Sequence, residues 1–407
     1  MSATSATFPL PPDGNDAAMK VVIVGATGNV GTSLIAALQG TPEVREVVGV
    51  ARRAPHTRAT EGLRWIERDI RRDNLTSAFD GADAVVHLAW AIQPSHDEPA
   101  MAATNVLGSG RVFEAVAAAG VPALVYASSV GAYVDGPKDR LVDEAWPIGG
   151  IETSFYARHK GTVERMLSRF ERDHRDVRVV RMRPGLIFKR GQAAEAHRFF
   201  LGPLVPGLLL NPRLLPVLPR IDGLRFQAVH TDDVAAAYRA AVLADVRGAF
   251  NLVGEPVLDL PTIAEAISAR TLPVPPWLAR AAIEWTWRAR LQPTPPGWLE
   301  MGLSTPLLSS ERARRELGWR PERSSLEAVV ELLEGIAAGA GEPTPALAPT
   351  TGVRTTTTEG TADASDHMAG QAQRPGRERA RSTHRGADRR DHPGDELRAL
   401  RIGSAPV

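Results

Sequence analysis

Short apolar runs alternate with helical patterns along the first half of the chain, and two more apolar runs follow further on. Residues 21–24 are all β-branched, without the polar alternation of a half-exposed strand, which predicts a strand at the buried centre of a parallel sheet. Strands that alternate with helices are typical of parallel sheets, so we expect a doubly wound α/β fold. The predicted strands cover residues 20–24, 46–50, 63–67, 84–88, 123–127, 177–182, 226–230 and 248–253.

A glycine-rich turn follows the first predicted strand. Its sequence, GATGNVG at residues 25–31, leads into a helix predicted from about residue 30 to residue 38. In a Rossmann-type sheet the first glycine permits the tight turn, the second lets the backbone approach a pyrophosphate, and the third lets helix and strand pack closely. The spacing alone is weak evidence, and an ordinary glycine-rich turn is the alternative. The residues predicted to bind a dinucleotide here are Gly25, Thr27, Gly28, Asn29, Val30 and Gly31.

Composition excludes several classes of function. The 407 residues contain no cysteine, which rules out disulfides and thiolate metal sites, and we predict no metal site. The formal net charge of +1 argues against a globally basic surface, so we expect no nucleic-acid partner. No apolar run reaches the ~18 residues of a membrane span, and the N-terminus lacks the pattern of a signal peptide. We therefore expect a cytoplasmic protein.

Changes in composition and hydrophobic pattern along the sequence divide the chain into four segments. The first 18 residues predict a flexible tail, and residues 19–190 predict a dinucleotide-binding domain of the Rossmann type. Residues 191–340 predict a smaller, mainly helical substrate lobe, with residues 226–253 returning to the Rossmann sheet. Residues 341–407 carry few large apolar side chains, so burial cannot offset the entropy of ordering, and we expect a disordered tail.

Tyr156 and Lys160 are the candidate catalytic pair. They lie four residues apart in a helix predicted over residues 154–173, which places both on one helix face. Ser129 follows the predicted strand 123–127, at the sheet edge where open α/β folds place their ligands. The alternative is an ordinary amphipathic helix whose tyrosine packs and whose lysine is solvated.

These three groups fit proton transfer coupled to hydride transfer. A free tyrosine has a pKa of ~10, so a tyrosine base near neutrality needs that pKa lowered by roughly 3 units. We expect the Lys160 ammonium and the positive charge of an oxidised nicotinamide to stabilise the Tyr156 phenolate. Ser129 would hold the substrate oxygen.

A series of further motifs occurs in order along the chain. They are Asp69-Ile70, His87-Leu88-Ala89, Asn105, SSVGAY at residues 128–133, Arg183-Pro184-Gly185, His230-Thr231-Asp232-Asp233-Val234 and Leu317-Gly318-Trp319-x-Pro321. Together with the glycine-rich turn and the Tyr-Lys pair, this arrangement resembles the extended short-chain dehydrogenase/reductases, the NAD-dependent epimerase/dehydratase family. The resemblance covers roughly residues 20–330.

The resemblance implies a role for individual residues. It assigns catalysis to Ser129, Tyr156 and Lys160, and it selects Ser129 over Ser128. Lys160 is also expected to contact the cofactor. The resemblance further implies a homodimer paired through helices of the sheet domain. The remaining implied positions are Asp69 and Ile70 against the adenine, Leu88 and Ala89 along the cofactor, and Asn105 as a structural hydrogen-bonding residue.

Two departures from the family pattern bear on the cofactor and the substrate. Members that prefer NAD usually place an Asp about 20 residues past the glycines, where this chain reads Val50-Ala51-Arg52-Arg53. The Arg52-Arg53 pair could instead accept a 2′-phosphate by charge-assisted hydrogen bonds, so we expect NAD(P) with NADP slightly favoured, and Arg52 is the predicted cofactor residue. The final glycine of the usual SSxxxYG motif is Val134 here, which would reshape the loop over the substrate.

The leading hypothesis is an NAD(P)-dependent oxidoreductase or epimerase that acts on a hydroxyl or carbonyl carbon of a small molecule. One alternative is a nucleotide-sugar epimerase with tightly held NAD. Another is a catalytically silent NAD(P)-sensing or scaffold protein, although such relatives typically lose the tyrosine or the lysine. The apolar stretch 199–219 tilts the expectation mildly towards a hydrophobic alcohol or ketone.

Overall fold

The computed structural model of the chain describes residues 18–55, 60–93, 96–201 and 216–349. Its strands are, in chain order, β1 (Met19–Val24), β2 (Val44–Ala51), β3 (Leu63–Glu67), β4 (Ala84–His87), β5 (Ala123–Ala127), β6 (Leu141–Val142), β7 (Arg178–Pro184), β8 (Leu186–Phe188), β9 (Val217–Arg220), β10 (Arg225–Phe226), β11 (Ala228–His230), β12 (Gly248–Leu252), β13 (Leu258–Asp259), β14 (Arg270–Pro273) and β15 (Leu307–Leu308). Its α-helices are α1 (Asn29–Gln39), α2 (Thr76–Phe79), α3 (Glu98–Ala102), α4 (Ser109–Ala118), α5 (Phe155–Asp173), α6 (Ala193–Ala196), α7 (Thr231–Leu243), α8 (Leu260–Ala266), α9 (Pro276–Arg288), α10 (Gly297–Ser304), α11 (Glu311–Glu316) and α12 (Ser325–Ala337).

The centre of the fold is a seven-stranded sheet with the order β12-β7-β5-β4-β1-β2-β3, in which every neighbouring pair is parallel. This confirms the predicted doubly wound fold of the Rossmann type. Residues 21–24 of β1 are at most 1% exposed, as their unbroken β-branched run predicts. Because all strands run in one direction, their carboxyl ends share one edge of the sheet. The candidate residues that follow β1, β4 and β5 therefore lie along that edge.

One predicted strand lies outside this sheet. The expectation that residues 226–230 return to it is wrong, because β11 pairs with β8 in a separate two-stranded sheet. β12 does join the main sheet, beside β7. The chain leaves β7 at Pro184, which has no N–H for a further ladder bond. A Cβ on the following Gly185 would lie 2.5 Å from the carbonyl oxygen of Gln227, so only glycine allows β8 and β11 to approach.

Helices cover both faces of the sheet. α1 and α7 pack on one face, where Tyr238 of α7 is 1% exposed. α4 and α5 cover the other face through side chains that include Phe113 and the fully buried Leu167. This packing fixes the rotation of α5 about its own axis. It therefore fixes the direction of the helix face that carries Tyr156 and Lys160.

The substrate lobe combines helices with small two-stranded sheets. β9 pairs with β14, and β10 pairs with β13. Helix α9 exposes Trp277 and Trp285, at 70% and 68%, whereas Trp298 of α10 faces Tyr156. The Leu- and Pro-rich residues 202–215 lie outside the described residues.

The start of the C-terminal tail differs from the expectation. Residues 341–349 were predicted to be disordered, but they pack on the body of the protein. The Leu347 side chain is fully buried, and Glu342 forms a 2.6 Å ion pair with Lys189. Burial of Leu347 stabilises this stretch, together with the ion pair of Glu342 and the hydrogen bonds that Arg198 donates to the carbonyl oxygens of Ala346 and Ala348.

None of the described helices combines the length and the apolar character needed to cross a bilayer. Apart from residue 18 and residues 341–349, the predicted tails lie outside the described residues.

Candidate active site

The glycine-rich turn links the end of β1 to the start of α1. Gly25 has a φ of +92°, and a Cβ there would lie 2.6 Å from the backbone nitrogen of Ala89. A Cβ on Gly31 would lie 2.6 Å from the carbonyl oxygen of Ala26. At Gly28, which precedes α1, the nearest atom to such a Cβ is 3.5 Å away. Backbone atoms therefore leave no room for a side chain at Gly25 and Gly31, but they leave space at Gly28. This space fits the approach of a dinucleotide pyrophosphate to the N-terminus of α1.

Asn29 connects this turn to the second half of the chain. Its side-chain oxygen accepts from the Thr231 hydroxyl at 3.1 Å, and its amide donates to Gln192 at 2.9 Å. The carbonyl oxygen of Thr27 accepts from the Thr344 hydroxyl at 2.8 Å. Segments distant in sequence therefore hold the glycine-rich turn in place.

The other predicted cofactor residues lie at the carboxyl ends of neighbouring strands. Leu88 follows β4 and donates its backbone N–H to Val24 at 2.8 Å, which places Leu88 and Ala89 beside the turn. Arg52 follows β2 and is exposed. These positions are those expected for residues that line a bound dinucleotide.

The predicted adenine contacts have partners of their own. The carboxylate of Asp69 pairs with the Arg71 guanidinium at 2.6 Å, and hydrogen bonds from Arg71 lower the pKa of Asp69 to about 2. Ile70 packs on α4 and the π-helical turn before it, since a Cβ on Gly108 would lie 2.8 Å from the Ile70 side chain. Asp69 is therefore ionised near neutral pH and paired with Arg71.

Ser129 and Tyr156 meet beside the sheet edge. Ser129 follows β5, and its hydroxyl oxygen accepts from the Gly131 N–H at 3.1 Å. The Tyr156 side chain hydrogen-bonds to Ser129, and the two residues are only 8% and 6% exposed. Lys160, one turn further along α5, donates from Nζ to the carbonyl oxygen of Ala127 at 2.6 Å. All three predicted groups thus converge at the end of β5.

The electrostatics of this site differ from the expectation. Burial raises the pKa of Tyr156 to about 12, although the hydrogen bond with Ser129 acts in the opposite direction. Burial likewise lowers the pKa of Lys160 to about 7, against the opposing charge of Glu164. With only the protein's own groups present, the Tyr156 pKa is therefore not lowered as we expected. Desolvation disfavours both charged forms, and the Lys160 nitrogen lies 5.8 Å from the centre of the Tyr156 ring.

Trp90 is a site residue that the sequence reasoning missed. Its ring centre lies 3.6 Å from the Lys160 nitrogen and 6.0 Å from the Tyr156 ring, which it meets edge to face. The fully buried Asn105 side chain forms two hydrogen bonds with the backbone of Ala91, the residue after Trp90. It accepts from the Ala91 N–H at 2.7 Å and donates to the Ala91 carbonyl oxygen at 3.0 Å. The available signal was the tryptophan directly after His-Leu-Ala at the end of β4. A cation held on an aromatic face is stabilised by about 0.5–2 kcal/mol.

A buried ionic cluster connects α5 to the neighbouring strands of the sheet. Glu164 of α5 accepts from the Ser128 hydroxyl at 2.6 Å and from the Arg183 guanidinium at 2.8 and 3.1 Å. Arg181 approaches the same carboxylate at 3.1 Å. Ser128 is therefore engaged in holding α5 to β5 and β7, while Ser129 faces Tyr156.

Comparisons with known proteins agree with the fold described above. A model of the NAD dependent epimerase/dehydratase family matches residues 21–252. An L-arabinose 1-dehydrogenase (NAD(P)(+)) of Haloferax volcanii is 35% identical over 111 residues, which span 27% of this chain and only 41% of that protein. An uncharacterized protein of Mycobacterium tuberculosis is 24% identical over 337 residues, or 77% of this chain and 83% of that protein.

Several solved structures with the same fold contain NAD. The UDP-glucose 4-epimerase of Thermus thermophilus complexed with NAD has a TM-score of 0.59 at 22% identity, and the match covers 78% of this chain and 99% of that one. A short-chain dehydrogenase/reductase superfamily protein of Agrobacterium tumefaciens with bound NAD has a TM-score of 0.58 at 22% identity, with 78% and 96% coverage. At these identities the likeness establishes the fold.

Proposed function

The chain belongs to the NAD-dependent epimerase/dehydratase family, and from that premise we propose that it is an NAD(P)-dependent oxidoreductase or epimerase with Tyr156 as its general acid/base. It acts on a hydroxyl or carbonyl carbon of a small molecule. The observation that carries this proposal is the convergence of Ser129, Tyr156 and Lys160 at the end of β5, where Lys160 donates to the Ala127 carbonyl and shares one face of α5 with Tyr156. The dehydrogenase and epimerase named among the similar proteins support this class of reaction.

Each of the three residues has a distinct task. When bound, the nicotinamide supplies or accepts a hydride at the substrate carbon. The Ser129 hydroxyl holds the substrate oxygen, and Tyr156 exchanges a proton with that oxygen. A pKa of about 12 keeps Tyr156 protonated at neutral pH, which suits proton donation to a carbonyl that is being reduced. For oxidation of an alcohol, a protonated Lys160 supplies positive charge that favours the phenolate.

The experiment that tests this proposal is Tyr156→Phe. Loss of a positioned acid/base lowers kcat/KM by about 10²–10⁴-fold, measured as nicotinamide absorbance with a panel of ketones, alcohols and nucleotide sugars. Tyr126→Phe is the matched control, because the Tyr126 hydroxyl is buried and hydrogen-bonds to none of the described residues. Cofactor binding without turnover, and no difference between wild type and Tyr156→Phe, would instead favour the sensing or scaffold protein.

Arg52 carries the proposal that the cofactor is NADP. It is exposed at the end of β2, where a 2′-phosphate of a dinucleotide on the glycine-rich turn would lie. Removing a hydrogen bond to a charged group costs about 1.5–3 kcal/mol, so Arg52→Ala should raise the Kd for NADP by roughly tenfold or more and leave the Kd for NAD unchanged. Arg169→Ala, which removes an exposed arginine near the C-terminal end of α5, is the control. Equal effects on the two cofactors would remove the basis for an NADP preference.

A nucleotide-sugar epimerase remains the second candidate, because the UDP-glucose 4-epimerase shares the fold and was solved with NAD. An epimerase must retain and recycle its cofactor, whereas a reductase exchanges it with the cellular pool. Identifying the nucleotide that copurifies separates the two: tightly held NAD favours the epimerase, and exchangeable NADP favours the reductase.

The homodimer and the cytoplasmic location remain predictions. Light scattering on the purified full chain tests the dimer, and fractionation of the source cells tests the location.

A further inference from the structure

Helix α9 exposes an apolar face to solvent. Eight large apolar side chains are exposed in the described part of the chain, and five of them fall within residues 272–291. Monomeric proteins rarely expose large contiguous apolar patches, and such patches mark surfaces that bind another molecule. The five side chains are those of Leu272, Trp277, Leu278, Trp285 and Leu291.

The apolar residues of α9 lie on one side of the helix. Residues 277, 281 and 285 recur at every fourth position, as do residues 278 and 282, and all five are apolar and exposed. The helical period places such positions side by side. The opposite side is packed on the protein, because Ala279 is buried and the ring of Trp287 stacks on that of His96 at 4.1 Å. The apolar face therefore points outward in a fixed orientation.

Positive charge accompanies this face. Residues 270–292 contain four arginines and one acidic residue. Arg288 pairs with that residue, Glu284, at 2.6 Å, and Arg280 pairs with a glutamate of α10 at 3.1 Å. The other two arginines form no ion pair with a described residue, so they can bind an anionic partner without losing an existing one. These are Arg270 and Arg290.

A second copy of the chain suits this face less well than an anionic bilayer does. A two-fold dimer would bring the face against itself, so the arginines of the two copies would meet. Like charges that face each other across an interface cost affinity. The surface of an anionic bilayer instead offers phosphates to the arginines. It also offers a boundary layer in which tryptophan is enriched, and along which arginine stems can lie with the guanidinium at the headgroups.

We propose that α9 docks the protein on an anionic lipid bilayer, with Trp277, Leu278 and Trp285 at the boundary between headgroups and acyl chains. The helix lies in the plane of that boundary, and the neighbouring arginines contact lipid phosphates. Its 13 residues fall short of the ~20 that a spanning helix needs. The docking is independent of the proposed function, since none of these residues belongs to the candidate active site.

The test is sedimentation of the full chain with vesicles of two compositions, phosphatidylcholine alone and equal parts of phosphatidylcholine and phosphatidylglycerol. We expect binding to the anionic vesicles that weakens in high salt, because salt screens exposed charges. One basic side chain near an anionic surface strengthens binding by roughly fivefold, so Arg290→Gln should weaken it by about that factor. Arg169→Gln, which removes the charge of an exposed arginine on α5, should leave binding unchanged.

The double variant Trp277→Ala with Trp285→Ala tests the apolar face. Withdrawing two large apolar side chains from the boundary should lower the vesicle partition coefficient by roughly tenfold or more. The two side chains are 70% and 68% exposed, so this variant should unfold at the same urea concentration as wild type. Leu107→Ala with Leu141→Ala is the matched control, because these side chains are 65% and 50% exposed but lie outside α9, and it should bind as wild type does.

Each other outcome overturns the inference. Binding to neither kind of vesicle does so, and so does equal binding of wild type and the tryptophan variant, which would assign the contact to another part of the chain. Equal binding to both kinds of vesicle would remove the role of the anionic lipid. Light scattering without lipid detects the second copy: a dimer that becomes monomeric in the tryptophan variant would assign the face to self-association.

Discussion

Glu164 is the residue whose loss should damage the protein most without touching the reacting atoms. Its side chain is 3% exposed, and it pairs with two arginines whose side chains are 6% and 8% exposed, Arg183 and Arg181. Glu164→Gln keeps the size of the side chain and removes its charge. The Arg183 guanidinium then remains buried without its counterion, and Arg181 keeps only its partly solvated pair with Glu171.

The size of the effect follows from that burial. Breaking a buried ion pair by removing one partner costs about 3–5 kcal/mol, against a total unfolding free energy of about 5–15 kcal/mol for an ordinary domain. We therefore expect Glu164→Gln to lower the free energy of unfolding by about 3–5 kcal/mol. Because the carboxylate also holds Ser128 of the loop after β5, residual activity should fall together with stability.

The assay is urea unfolding followed by tryptophan fluorescence, with Glu171→Gln as the control. Glu171 pairs with the same Arg181 at 2.7 Å, but its side chain is 28% exposed. A partly solvated pair of this kind is worth about 1 kcal/mol or less. If the free energies of unfolding of the two variants differ by less than about 1 kcal/mol, the inference that the buried Glu164 cluster stabilises the fold is wrong.

The same cluster predicts a pH dependence. Burial alone would raise the pKa of Glu164, but the hydrogen bonds and charges of Arg183, Ser128 and Arg181 outweigh burial and lower the pKa below 4.5, its ordinary value. A carboxyl whose pKa is lower in the folded state stabilises that state above its ordinary pKa. This stabilisation is lost as the pH falls through the folded-state pKa. The difference between wild type and Glu164→Gln should thus stay constant near neutrality and shrink below about pH 4.5.

Two further predictions concern the cofactor turn. Gly25→Ala should lower the free energy of unfolding by more than about 1 kcal/mol, because φ is +92° and the Ala89 backbone blocks a Cβ. Gly28→Ala should change the free energy of unfolding by less than about 0.5 kcal/mol but weaken cofactor binding. Urea unfolding measures the stability of both variants, and cofactor titration measures their binding. A chain ending at residue 340 loses the burial of Leu347, worth about 1.5–3 kcal/mol, and the Thr344 bond to the turn. Compared with a chain ending at residue 349, it should unfold at lower urea and bind the cofactor less tightly, and equal behaviour of the two would show that the segment is passive.

The sequence by itself determined the parts of this protein that depend on local pattern. Unbroken β-branched runs predicted the strands of the parallel sheet, and the sheet then brought the ends of β1, β4 and β5 to one edge. The four-residue spacing of Tyr156 and Lys160 placed both on one helix face, because the helical period is local. The glycine at residue 25 predicted a tight turn after β1, and its φ of +92° is a conformation that few other residues adopt.

Only the tertiary structure decided the environment of those residues. The pKa of Tyr156 depends on desolvation by α10 and the β4 loop, so its sign could not follow from the presence of a nearby lysine. The contact of Trp90 with Lys160 and the burial of Leu347 likewise depend on which distant segments meet. Spacing along a chain sets which face a side chain occupies, but solvation and charge are sums over everything packed against it, and those neighbours come from the whole fold.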